Sequence, residues 1–203
     1  MIRALPWVCA LRRGVPVLGI GYFFDESGHP EDPNCIALSV AGAFASASHW
    51  VELTQEWNST LNKYGISALH MKEYAHSVGQ YSDWKGKEDH RRQFLKDLFK
   101  IIERHIYGYV GATIPMSVFD SSSNAQKIRF ENNPYYPCLQ VCMIKAALQL
   151  LWIRYVFPDF PIGEVDFVVA ESKELRDLPY RVFLECKNHP GDYRLDKHQG
   201  GGV

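Results

Sequence analysis

Apolar positions along this chain switch between short continuous runs and helical spacing. Residues 17 to 25 form an aromatic run, Gly19-Ile20-Gly21-Tyr22-Phe23-Phe24, that ends abruptly at Asp25-Glu26 and a Ser27-Gly28 turn. A run of this length closed by turn residues predicts a buried strand. Residues 29 to 34 are dense in turn formers, and 35 to 44 read as a second strand. So short a connection makes an antiparallel hairpin of the pair. Trp50, Leu53, Trp57 and Leu61 recur at helical spacing over 48–63, after Ser46 or Ser48 as cap and before Gly65 as stop. A short apolar step over 66–74 carries His70, Lys72 and Glu73. Residues 77–87 are polar and read as loop. A helix is predicted over 88–105, with Phe94, Leu95, Leu98, Phe99 and Ile102 as its core face. Residues 107–114 read as a third strand and 115–133 as irregular chain. A helix over 134–155 is apolar on most sides, which predicts a central buried helix that Pro158 and Pro161 end. Residues 163–172 form a fourth strand, again an apolar run ending in an acid, Glu171. Residues 176–186 suit a helix. The alternation predicts an α/β single domain over 17–187, a mixed β-sheet with flanking helices. A poorly ordered extension (1–16) and a flexible tail (188–203) are expected on either side.

Composition narrows the class. The chain has 203 residues, 46% apolar and 22% charged, ordinary values for a globular domain. No stretch of about 18 consecutive apolar residues predicts a membrane span. The basic pair Arg12-Arg13 follows the apolar patch at 4–11, the wrong flank for a secretion signal. Five scattered cysteines argue against a disulfide framework and predict a reducing, cytoplasmic setting. The net charge of −1 provides no global basic field, so any nucleic-acid contact must come from a local patch.

The chemistry is expected where strands end in carboxylates, because ligands of open α/β sheets bind at the carboxyl ends of strands. Asp25 and Glu26 alternate faces, so one can enter a cleft while the other anchors the turn. Both being solvated turn acids is the competing reading. If the strands ending at Asp25 and Glu171 both lie near the sheet centre, their acids converge at one rim. Clustered carboxylates repel, and a hard divalent cation, Mg²⁺ or Mn²⁺, relieves them. Two such ions can clamp the attacking and leaving oxygens of a phosphodiester. Glu73 is a further candidate metal ligand beside Asp25 and Glu171. His70 is either a proton carrier, an outer ligand or a half-buried structural histidine.

Four features in order resemble the domain of unknown function 3800 family. They are Tyr22-Phe23-Phe24-Asp25-Glu26-Ser27-Gly28, Leu69-His70-Met71-Lys72-Glu73, Asn133-Pro134-Tyr135-Tyr136 entering a long helix, and the acid-ended strand from Val165 to Glu171. The resemblance covers about 17–187. It implies a ribonuclease H-like fold and metal-dependent nucleic-acid cleavage, with Asp25 as the metal ligand on the central strand and Glu26, Glu73 and Glu171 as the remaining acids. The sequence departs from the pattern after Glu171: the family's Gln-x-x-Asp step on a further helix has no match, and Gln199 is followed by Gly200-Gly201-Gly202-Val203. A truncated form with an incomplete acidic site is the expectation.

Other motifs carry less. Cys138 and Cys142 share a helix face, but no second Cys or His pair stands at metal spacing, so they read as core. Lys85, Lys87, Arg91, Arg92 and Lys96 form a local basic patch that can track a phosphate backbone; with Glu88, Asp89 and Asp97 interleaved it reads more readily as a solvated helix face. Gly19-x-Gly21 precedes no helix, so it is no dinucleotide fingerprint, and Ser27 lacks the glycines of a nucleophile elbow. Two functions follow: a metal-dependent nuclease of the two-metal type with Asp25, Glu26, His70, Glu73 and Glu171 at its centre, or an inactive remnant that binds nucleic acid or a protein partner.

Overall fold

The computed structural model describes residues 18–159, 162–170 and 177–188. The expected extension (1–16), most of the expected tail, and Glu171 lie outside the described residues. The protein is α/β, a four-stranded mixed sheet with flanking helices. Strands β1 (Leu18–Ser27), β2 (Ala37–Ser46), β3 (Gly108–Pro115) and β4 (Ile162–Val169) lie in the order β3-β2-β1-β4. The helices are α1 (Ala47–Lys63), α2 (Met71–His76), α3 (Glu88–His105), α4 (Met116–Asp120), α5 (Asn124–Arg129), α6 (Tyr135–Val156) and α7 (Leu178–Asn188).

Backbone bonds fix the strand directions. Tyr107 N–H donates to Phe44 O at 2.9 Å, and Met116 N–H to Ile36 O at 3.0 Å, so β3 runs antiparallel to β2. Gly28 lies against Ala37 and Leu38 while Gly42 lies against Phe23 and Phe24, which makes β1 and β2 the expected antiparallel hairpin. In a mixed sheet the remaining pair, β1 and β4, is then parallel. Strand β1 therefore has a neighbour on both sides.

The chain divides into two compact units, and the division falls within each strand. The first comprises 18–21, 44–108 and 162–166 of the described residues; the second comprises 22–43, 109–159, 167–170 and 177–188.

In the first unit α1 packs on α3. The Ser46 hydroxyl accepts the His49 N–H at 3.2 Å and caps α1, satisfying one of the orphan donors of a helix start. The core gathers Leu61, Ile66, Tyr74, Tyr81, Trp84, Phe94, Leu98 and Ile101. Two expectations are corrected here. The loop expected over 77–87 contains a 3₁₀ helix, Gly79–Trp84, which buries Tyr81 and Trp84. Residues three apart eclipse in a 3₁₀ turn, so both rings reach one core. The buried face of α3 is Phe94, Leu98, Ile101 and His105, while Phe99 is exposed. Packing on α1 selects the stripe beside the more apolar one and brings a histidine inside.

In the second unit α6 packs on α7 and covers β1 and β2. The Tyr22 hydroxyl donates to Ala146 O at 3.3 Å. The Cys138 thiol lies 3.8 Å from Leu38 O and the Cys142 thiol 3.3 Å from Val40 O. The expectation that α6 is buried on most sides holds only for its first half: its last buried residue is Ala146. By length and composition alone α6 is apolar enough to cross a membrane. The stretch expected to be irregular, 115–133, contains the short helices α4 and α5. Ser123 and Gln126 close a reciprocal capping box on α5.

Candidate functional site

The alternation of β1 settles which acid faces where. Tyr22 and Phe24 are buried, and their rings stack with Phe167 of β4 at centroid distances of 5.4 and 6.1 Å. Glu26 is next on that face, and Asp25 points to the other side. Asp25 is exposed, and its Oδ1 accepts the Glu26 N–H at 3.0 Å. Glu26 is half-buried; its Oε2 is shut off from solvent and has no hydrogen-bond partner among the described residues. An ionised oxygen in that state is costly unless a cation or donor meets it. Behind the acids the chain turns at Gly28, with φ of 97°. A Cβ there would lie 2.5 Å from Leu38 Cδ2 and 2.8 Å from Ala37 O, so only glycine fits. The Gly28 carbonyl accepts the Tyr135 hydroxyl at 2.8 Å, which ties the turn to the start of α6.

The neighbouring strand reaches the same level. Ala170 N–H donates to Phe24 O at 2.8 Å, and Glu171 is the next residue in sequence.

His70 and Glu73 belong to the first unit, Asp25 and Glu26 to the second. His70 is the exposed residue preceding α2 and makes no side-chain cap. Glu73, half-buried, lays its carboxylate over Gly79: a Cβ on that glycine would come within 2.6 Å of Oε2. In the basic patch, Arg91 is turned inward. It donates to Tyr74 O at 2.8 Å and to Glu88 Oε1 at 3.0 Å, and its guanidinium lies 4.9 Å from the Tyr74 ring. Arg92 pairs with Asp89 at 3.6 Å. Those two arginines serve the fold of the first unit.

Two polar clusters were not foreseen. Buried His105 directs Nε2 at Glu56 Oε1 (3.1 Å) and Nδ1 toward Glu52 Oε2 (3.6 Å), and Arg104 meets the same Glu56 at 2.5 Å. His49 completes the group, its Nδ1 against His105 O at 3.2 Å. The signal was the spacing of His49, Glu52 and Glu56 on one face of α1. The hydrogen bond from His105, with Arg104 second, holds the Glu56 carboxyl below its usual range. In the second unit, Glu185 of α7 accepts from the Tyr136 hydroxyl and from Gln140 Nε2 (3.3 Å), and Arg129 stands 3.9 Å away. No sequence pattern announces it, because its members come from α5, α6 and α7.

Burial pushes the Cys138 and Cys142 thiols up to about 11, so both are inert at neutral pH and belong to the core, as their spacing implied. Cys35, Cys138 and Cys142 are free thiols. Among the described residues no group of three or more His, Cys, Asp or Glu side chains is gathered so as to hold a metal. What stands at the end of β1 is two carboxyl groups on opposite faces, the inward one, Glu26, with a buried oxygen that has no partner among the described residues. That donor type fits a hard cation. Compared with known proteins, the chain matches no family model, no curated protein and no solved structure.

Proposed function

We propose that the protein is a metal-dependent phosphodiesterase with a ribonuclease H-like arrangement, acting on nucleic acid. The observation that carries this reading is the Glu26 carboxylate at the end of a central strand, whose buried Oε2 has no partner among the described residues. Glu26, with Glu171 after the neighbouring strand, would supply the oxygen donors, Asp25 on the other face of β1 would hold the turn through the Glu26 N–H, and a bound Mg²⁺ or Mn²⁺ would supply charge neutralisation of a phosphate and an activated water. Phe24 and Phe167 behind the acids would exclude solvent and hold the strand ends rigid. The centre needs only residues of the second unit, so the roles expected of His70, as proton carrier or outer ligand, and of Glu73, as a further ligand, do not enter it. A cytoplasmic setting belongs to the same reading and is supported by the free thiols.

Calorimetric titration with Mn²⁺ tests it, on the wild type, Asp25→Asn and Glu26→Gln, alongside cleavage of labelled DNA and RNA. Binding and cleavage by the wild type that Glu26→Gln loses and Asp25→Asn, on the other face, retains is the expected result. A folded wild type that takes up no Mn²⁺ overturns it. A second reading, a non-catalytic binding domain, is favoured by one observation, the uncovered second half of α6.

A further inference from the structure

The second half of α6 is apolar without being buried. Leu148, Leu151, Trp152 and Tyr155 recur at helical spacing on one face, with Val156 and Phe157 beside them. Trp152 is 60% exposed, Tyr155 87% and Leu151 62%. The Phe157 ring stands edge-on to Trp152 at 6.5 Å, so the patch is continuous. With roughly 150–250 Å² available on each aromatic side chain, these six residues leave about 600 Å² of apolar surface open. That is at the upper limit of what monomers show, about 300–600 Å², and near one side of a standard protein interface, about 800 Å².

We propose that this face is the interface of a homodimer, in which two copies of α6 pack antiparallel about a two-fold axis near Leu151 and Trp152. Three features favour a second copy. The heptad-like spacing of 148, 151, 152 and 155 is that of a helix seam, and in an antiparallel pair it meets itself, with Leu148 opposite Tyr155. The only charged residue among 147–156 is Arg154. At about 100° per residue Arg154 stands on the flank of the seam and not on it, so two copies can meet without bringing like charges to its centre. A membrane is a poor occupant, because the first half of α6 is inside the protein. The ten residues that remain rise about 15 Å, half of the hydrocarbon core of about 30 Å. The proposal stands independently of the nuclease reading.

Sedimentation velocity and light scattering on the full chain over a concentration series test it. The wild type is expected to dimerise at micromolar concentration. Trp152→Glu and Leu151→Glu should each weaken the dimer at least about 30-fold, since a charge at the centre of a desolvated patch acts as a lost hot spot. Both positions are exposed, so far-UV circular dichroism and the melting of the dissociated protein should stay unchanged. Phe99→Glu, at an exposed apolar residue of α3, should leave the dimer intact. A wild type that stays monomeric over the series, or that is recruited to lipid vesicles as a monomer, overturns the proposal. So does a dimer that neither α6 variant weakens.

Discussion

Ala170 donates its backbone N–H to the carbonyl of Phe24 at 2.8 Å. The bond sets the parallel strands β1 and β4 level, each one residue short of an acid, Asp25 and Glu171. On β1 the acid that follows on the buried face is Glu26, with its orphaned oxygen.

Replacing Glu26 by Gln exchanges a carboxyl group, one of whose buried oxygens has no partner among the described residues, for a neutral amide of the same shape. In the presence of a chelator the variant should therefore melt about 2–4 °C above the wild type, for a relief of roughly 1 kcal/mol. Added Mn²⁺ should raise the wild type and leave the variant unmoved. A variant that melts lower in chelator, with no effect of Mn²⁺ on either protein, removes Glu26 from the site.

The buried thiols make an alkaline prediction. Cys138 and Cys142 are held near 11 in the folded protein, above the ordinary value of about 8.5 for an exposed thiol. The folded state thus binds their protons more tightly, and the stability they confer is full below the unfolded value and lost as pH rises through the folded one. Urea midpoints should fall between pH about 8.5 and about 11, by on the order of 2 kcal/mol per thiol. Cys142→Ala should flatten that slope while lowering stability at neutral pH.

Glu56 has the opposite sign. Its folded value is depressed, chiefly by His105, so its contribution is present above the unfolded value and lost as pH falls through the folded one. Glu56→Gln should destabilise the protein at neutral pH. The gap to the wild type should close only as pH falls below the ordinary carboxylate range, where the depressed wild-type carboxyl is itself protonated. Equal urea midpoints at neutral pH would show that the His105 contact contributes nothing.

Neighbouring positions on α3 separate the observed core face from the apolar one. Ile101→Ala should cost about 2–5 kcal/mol, as truncations inside a packed core do. Phe99→Ala should change stability by less than about 0.5 kcal/mol, as exposed substitutions do. Chemical denaturation of the two variants checks both values, and the reverse ranking would mean that α3 is rotated by about one position.

Elements whose cause is local were legible in the sequence. The run ending at Asp25, the cap at Ser46 and the α1 stripe Leu53, Trp57 and Leu61 stand within two residues of expectation. Tertiary choices were not. Phe99 is more apolar than His105, yet packing on α1 takes His105 inside, where its Nε2 meets Glu56 at 3.1 Å. Tyr81 and Trp84 sit among polar residues that mask a buried 3₁₀ turn. Helix α6 has an unbroken apolar sequence, and composition cannot say where along it the cover ends. At the site, the type of donor was legible from Asp25-Glu26, and the alternation of a strand allowed either acid to face inward. Only the burial of Tyr22 and Phe24 assigned that place to Glu26.

Gly28 illustrates how a short motif can mislead anyone reading it for chemistry. Its left-handed backbone and the Leu38 methyl that occupies the space of a Cβ leave no other residue an option. In a saturation library selected only for folding, position 28 would come back as glycine although it lies on the surface. Asp25, two turns of selection pressure away in meaning though three residues away in sequence, would drift freely in the same library. The invariance of a glycine beside two acids is thus a record of steric necessity, and a purge of variants at Glu26 in a library selected for activity would be the mark of function.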